Sequence, residues 1–185
     1  MSTISATDVL SHFQTSIRNL SQTPLMIYWE TTQACALACK HCRASAMLGC
    51  HPNQLTHEEG SALLKQIASF GAPTPNLVLT GGDPLERPDL FELIAEATAL
   101  KIPTSITPSA TPSLTRETIR ALKEAGIRTM ALSLDGSTME RHDAIRQVEG
   151  CFERTLRAAK DADDFGIPLQ INTLVCEQTV DDLPA

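Results

Sequence analysis

The chain has 185 residues, of which 42% are apolar and 20% charged, and its formal net charge is −7. These values suit one soluble domain with a real core and exclude a disordered chain; with no block of Lys or Arg, they also exclude a nucleic-acid surface as its main business. No apolar run approaches the length of a membrane span, and Met1 to Asp8 is Ser/Thr-rich without a basic leader, so a cytoplasmic protein with reduced cysteines and no membrane partner is expected. Residues 1–23 read as an N-terminal extension and residues 24–185 as the core.

Leu25-Met26-Ile27-Tyr28-Trp29 is a short apolar run suited to a buried strand. It leads directly into Cys35-Ala36-Leu37-Ala38-Cys39-Lys40-His41-Cys42, a C-x3-C-x2-C spacing that places three thiols on one loop. A cubane [4Fe–4S] cluster takes one thiolate per iron, so three cysteines leave a fourth iron open to a small molecule. Structural zinc wants four ligands, usually as two pairs, and no second pair follows at that spacing, although His41 or Cys50-His51 could complete such a shell. A disulfide framework suits neither the length nor the acidity of the chain. Cys151 and Cys176 read as core thiols.

Thr56-His57-Glu58-Glu59 carries the capping-box pattern, and Leu63, Leu64 and Ile67 give the helix behind it an apolar stripe that ends at Gly71. Asn76 to Thr80 reads as the second strand, followed by Gly81-Gly82-Asp83-Pro84. The glycines let backbone carbonyls approach a ligand, and Asp83 can accept from an ammonium group; alone, the run is equally a tight turn. A helix starting at Pro88 carries Leu90, Leu93, Ile94 and Ala97 on one face.

Ile102 to Thr107 reads as a strand and Thr115 to Ala125, closed by Gly126, as a helix. Between them Thr107, Ser109 and Thr111 offer hydroxyls for a carboxylate or ribose, or form a polar turn. Arg128 to Leu134 is the fourth strand, followed by Ser133-Leu134-Asp135-Gly136 and by His142, Asp143 and Arg146, whose guanidinium is a natural partner for a carboxylate. Cys151 to Phe165 reads as a helix and Pro168 to Val175 as the fifth strand, with Asn172 inside it. Asp181 to Ala185 reads as the start of a further helix. Strands alternating with helices mean a parallel sheet with right-handed crossovers, and ligands in such sheets bind at the carboxyl ends of the strands.

The motifs together resemble the radical SAM superfamily. Cys35, Cys39 and Cys42 match its cluster triad, and Gly81-Gly82-Asp83-Pro84 is similar to its GGEP motif, with Asp for Glu. Ser133-Leu134-Asp135-Gly136 with His142-Asp143-Ala144-Ile145-Arg146 resembles the S-x-D-G…HD-x-x-R run of its cofactor-maturation and peptide-modifying branch, which often carries a SPASM extension; haem-pathway members share part of this wording. The resemblance implies an α/β partial (β/α)6 TIM-like barrel, here expected to lack its sixth strand. It implies a [4Fe–4S] cluster held by the three cysteines and S-adenosyl-L-methionine (SAM) on its open iron.

By the same resemblance, reductive cleavage of SAM would yield a 5′-deoxyadenosyl radical that takes hydrogen from a small-molecule, porphyrin or peptide substrate, with flavodoxin or ferredoxin as electron donor. SAM would be bound by Gly81, Gly82, Asp83, Pro84, Ser133 and Arg146, with His41 beside the adenine, Thr107 and Ser109 as hydroxyl contacts, Asp135 shaping the pocket and Asn172 a further candidate. Cys50 and His51 read as non-ligands. The alternative is a non-catalytic iron–sulfur or zinc protein built on the same core.

Overall fold

The computed structural model describes residues 20–177 and 179–182, so most of the N-terminal extension and residues 183–185 lie outside it. Five strands alternate with helices along the chain: β1 (Met26–Thr32), β2 (Asn76–Gly81), β3 (Thr104–Ile106), β4 (Thr129–Ser133) and β5 (Leu169–Asn172). The helices are α1 (His57–Ala68), α2 (Leu90–Ala99), α3 (Arg116–Ala125), α4 (Met139–Arg146) and α5 (Cys151–Asp164), with 3₁₀ turns at Pro84–Glu86 and Val180–Asp182. All neighbouring strands are parallel and stand in the order β1-β2-β3-β4-β5.

That order carries the architecture. Each right-handed crossover advances one strand in the same direction, so the helices collect on one face and the sheet curls as a barrel does. The five strands therefore form an open part of a β/α barrel, as the family resemblance implied.

Helix ends follow local chemistry. Thr56 caps α1 in a complete capping box with Glu59, Thr115 caps α3, and Gly126 ends α3 in the left-handed region. The apolar stripes then meet the sheet: Leu64 and Ile67 of α1, Leu93 and Ile94 of α2, and Ile119 and Leu122 of α3 are fully buried against Leu77, Leu79, Ile106 and Met130. Burying a large aliphatic side chain contributes about 1.5–3 kcal/mol, so this layer holds the frame that presents the strand ends.

Helix α4 was not foreseen. It is polar nearly all round, burying only His142 and Ile145, and so has no stripe for periodicity to detect. Its start is set by Thr138, whose side chain accepts from the Arg141 amide. The segment expected to open a further helix at Asp181 is, within the described residues, the 3₁₀ turn Val180–Asp182, tied back through Asp181 to Arg141 at 3.0 Å.

Candidate functional site

The loop after β1 is fixed at both ends. Cys35 N–H donates to the Met47 carbonyl and Met47 N–H to the Gln33 carbonyl, each at 3.0 Å, which closes the loop on itself. Gly82 N–H donates to Thr32 O at 2.8 Å and Asp83 N–H to Ala34 O at 2.7 Å, so the turn after β2 holds the base of the cysteine loop. Lys40 N–H reaches the Ile145 carbonyl at 3.1 Å and joins the middle of the loop to α4. Beneath it the buried Arg87 donates to the Thr31 and Leu55 carbonyls at 3.0 Å, pairs with Asp89 and lies over the Trp29 ring. Arg87 was not singled out from sequence; the Arg87-Pro88-Asp89 run resembles an ordinary helix start.

Each sulfur of the triad faces a hydrogen-bond donor. The Leu37 amide lies 3.4 Å from Cys35 Sγ, the Ala46 amide 3.4 Å from Cys42 Sγ, and Arg146 Nη1 3.7 Å from Cys39 Sγ. All three thiols are free, grading from buried Cys35 to exposed Cys42. Burial pushes the Cys35 thiol up, while the Leu37 amide and Ser109 hydroxyl pull it back down. Donors to sulfur favour thiolate, the form that binds metal, so the donor set fits an iron–sulfur group. Among the described residues no three His, Cys, Asp or Glu side chains converge on a single ion.

The three cysteines line a cavity of about 180 Å³ that adjoins a second of about 280 Å³ at the ends of β2, β3 and β4. His41, Gly81, Gly82, Ser109 and Arg146 line both cavities, and Thr107 and Ser133 line the second. The pair is of the size and position of a small-molecule site. Burial and the nearby Arg146 charge hold the His41 imidazole below its usual range, with Asp135 opposing. A side chain at Gly81 would run into Thr32, and one at Gly82 into the carbonyls of Gln33 and Ala34.

Four of the sequence candidates line neither cavity. Asp83 is fully buried, its Oδ1 accepting from the Leu85 and Ser109 amides and its Oδ2 from the Thr111 hydroxyl at 2.8 Å. The carboxylate expected to meet a ligand's ammonium is thus engaged with the protein, and burial raises its pKa. Pro84 is buried at the start of the 3₁₀ turn. Asp135 is buried, accepting from the Leu174 amide and pairing with Arg146 Nη2 at 2.6 Å. Asn172 accepts from Gln170 at 2.7 Å on the sheet edge, away from both cavities.

Sequence reasoning missed Thr155. Its hydroxyl is buried on α5, has no hydrogen-bond partner among the described residues, and belongs to the lining of the larger cavity. Cys151, one turn earlier, lines the same wall, its thiol pushed up by burial.

Residues 29–185 match the radical SAM superfamily. The chain is 40% identical over 159 residues to the AdoMet-dependent heme synthase of Oleidesulfovibrio alaskensis and 36% identical over 160 residues to the Fe-coproporphyrin III synthase of Methanosarcina barkeri. In each case the match covers 86% of this chain and 39% of the relative, so the chain spans about two-fifths of their length. Among solved structures, Streptococcus suis SuiB bound to S-adenosylmethionine superposes with a TM-score of 0.74 at 21% identity, covering 100% of this chain and 43% of SuiB. Methylornithine synthase PylB gives 0.69 at 21% identity, covering 88% of this chain and 50% of PylB. At those identities the likeness concerns the fold.

Proposed function

This chain belongs to the radical SAM superfamily, and from that premise we propose that the paired cavities form the cofactor site of a radical SAM enzyme core spanning residues 24–185. Cys35, Cys39 and Cys42 would hold a [4Fe–4S] cluster, and SAM would lie against Gly81, Gly82, Ser109, Ser133 and Arg146, with His41 and Thr107 at its sides. Bound there, and given one electron from an external donor, the two cofactors would supply the chemistry the resemblance implies, reductive cleavage of SAM leading to hydrogen abstraction from a substrate. The single observation that carries this reading is the placement of all three thiols, each facing a donor, on the cavity that also holds the glycine turn and Arg146.

The chain's own residues would do three things. The absent side chains at Gly81 and Gly82 let the turn pack directly on the backbone of Thr32, Gln33 and Ala34 at the base of the cysteine loop, the Thr107 and Ser133 hydroxyls would offer neutral contacts to ribose or carboxylate, and the buried floor of Leu37 and Ala110 would exclude water. The similarity to heme and Fe-coproporphyrin III synthases supports a tetrapyrrole as the substrate class, and a small redox protein such as flavodoxin or ferredoxin would supply the electron. A PqqA peptide cyclase of Rhizobium meliloti is 32% identical over 160 residues, which makes a peptide the second substrate class to assay.

The test is anaerobic reconstitution with iron and sulfide, followed by metal and sulfide analysis of single serine variants. Loss of iron on Cys35→Ser, Cys39→Ser and Cys42→Ser, with retention on Cys50→Ser and Cys176→Ser, is the expected result. Four-coordinate zinc without iron, or iron retained in all three triad variants, would overturn the reading.

A further inference from the structure

Arg146 has two partners, and their geometry suggests more than ligand binding. Its Nη2 lies 2.6 Å from Asp135 Oδ2, with side-chain exposures of 12% and 1%, while its Nη1 lies 3.7 Å from Cys39 Sγ. Asp135 is itself immobilised. Its Oδ1 accepts the Leu174 amide at 2.8 Å, and its own amide donates to Nδ1 of the buried His142 at 3.0 Å. His142 sits one turn before Arg146 on α4, so loop, helix and carboxylate together hold one guanidinium in place. The middle cysteine is thereby the one whose donor is a charged side chain, whereas Cys35 and Cys42 face neutral backbone amides.

We propose that Arg146, held by Asp135, is a positioning residue that donates to Cys39 Sγ and makes the cluster easier to reduce. The inference rests on the cluster assignment made above. Reduction adds negative charge to a cluster, and hydrogen bonds to its sulfurs are among the terms that set its potential. A fixed cationic donor stabilises the more negative state. The planar guanidinium suits the task because it can serve a carboxylate and a sulfur with different nitrogens, which a lysine ammonium cannot do in one plane.

The experiment is a dithionite titration of the reconstituted, SAM-free protein, with the cluster's midpoint potential read by electron paramagnetic resonance. Arg146→Gln is expected to lower the midpoint so that the reduced-to-oxidised ratio at a fixed potential falls at least tenfold, about 59 mV for one electron. Arg146→Lys, which keeps the charge and loses the fork, is expected to recover only part of that shift.

Asp135→Asn supplies the second arm. Removing a negative charge near the cluster would by itself raise the potential; if Asp135 acts by holding Arg146 on Cys39, the potential falls instead. A wild-type midpoint in Arg146→Gln, or a rise in Asp135→Asn, overturns the proposal. Wild-type protein that assembles no [4Fe–4S] cluster would instead sink the cluster assignment itself, so the two failures are distinct.

Discussion

Gly82 donates its backbone N–H to the Thr32 carbonyl at 2.8 Å, and this bond seats the cysteine loop on the glycine turn. The packing leaves no room for a side chain, because a Cβ at Gly82 would overlap the carbonyls of Ala34 and Gln33, all backbone atoms that cannot swing aside. Gly82→Ala is expected to cost about 1–3 kcal/mol through overpacking and to displace the base of the loop. Chemical denaturation measures the first effect, and the iron content after reconstitution, expected to fall well below wild type, measures the second.

Asp83 answers three donors from inside the turn. Asp83→Ala leaves the Leu85 and Ser109 amides and the Thr111 hydroxyl without their acceptor, a loss on the order of 3 kcal/mol. Asp83→Glu, the residue in the motif it resembles, has one more methylene to fit into a fully buried space and is expected to destabilise less than the alanine variant. Urea midpoints of the two variants check the order.

Thr155 separates stability from binding. Thr155→Val removes a buried hydroxyl that has no partner among the described residues, so the ligand-free protein is expected to be unchanged or about 1 kcal/mol more stable. The same variant is expected to bind SAM several-fold more weakly in equilibrium dialysis, while Thr155→Ser retains affinity. Equal affinity for valine and threonine would remove this hydroxyl from the ligand's contacts.

A pH-sensitive staple lies away from the site. His57 Nδ1 is 3.0 Å from Asp89 and its Nε2 3.0 Å from Glu96, joining the start of α1 to α2. The Asp89 hydrogen bond, opposed by desolvation and assisted by the Glu96 carboxylate, raises the imidazole above its ordinary value. A raised cationic group stabilises the fold fully below the unfolded pKa, about 6.5, and loses that contribution as pH rises through the folded value. The melting-temperature difference between wild type and His57→Gln is therefore expected to be largest below that pH and to shrink above it.

Much of this was legible in the sequence because the informative residues act locally. The alternation of strands and helices, and with it a parallel sheet, followed from periodicity, the capping box at Thr56 and the Gly126 stop from their own chemistry, and the cysteine loop from spacing alone. The rest depended on partners far along the chain. Whether Asp83 faces ligand or protein is decided by Thr111, 28 residues later, and the link from Arg146 to Cys39 spans 107 residues. Thr155 reads as a polar interruption of an amphipathic stripe until the neighbouring strand ends show that it lines a cavity.

The central claim, that the loop holds a cluster with an iron open to SAM, is tested most directly by electron paramagnetic resonance of the reduced, reconstituted protein with and without SAM. A [4Fe–4S] signal whose g-values shift on adding SAM, with 5′-deoxyadenosine released in the same tube, is the predicted result. A cluster signal that SAM leaves unchanged, with no 5′-deoxyadenosine formed, would contradict it.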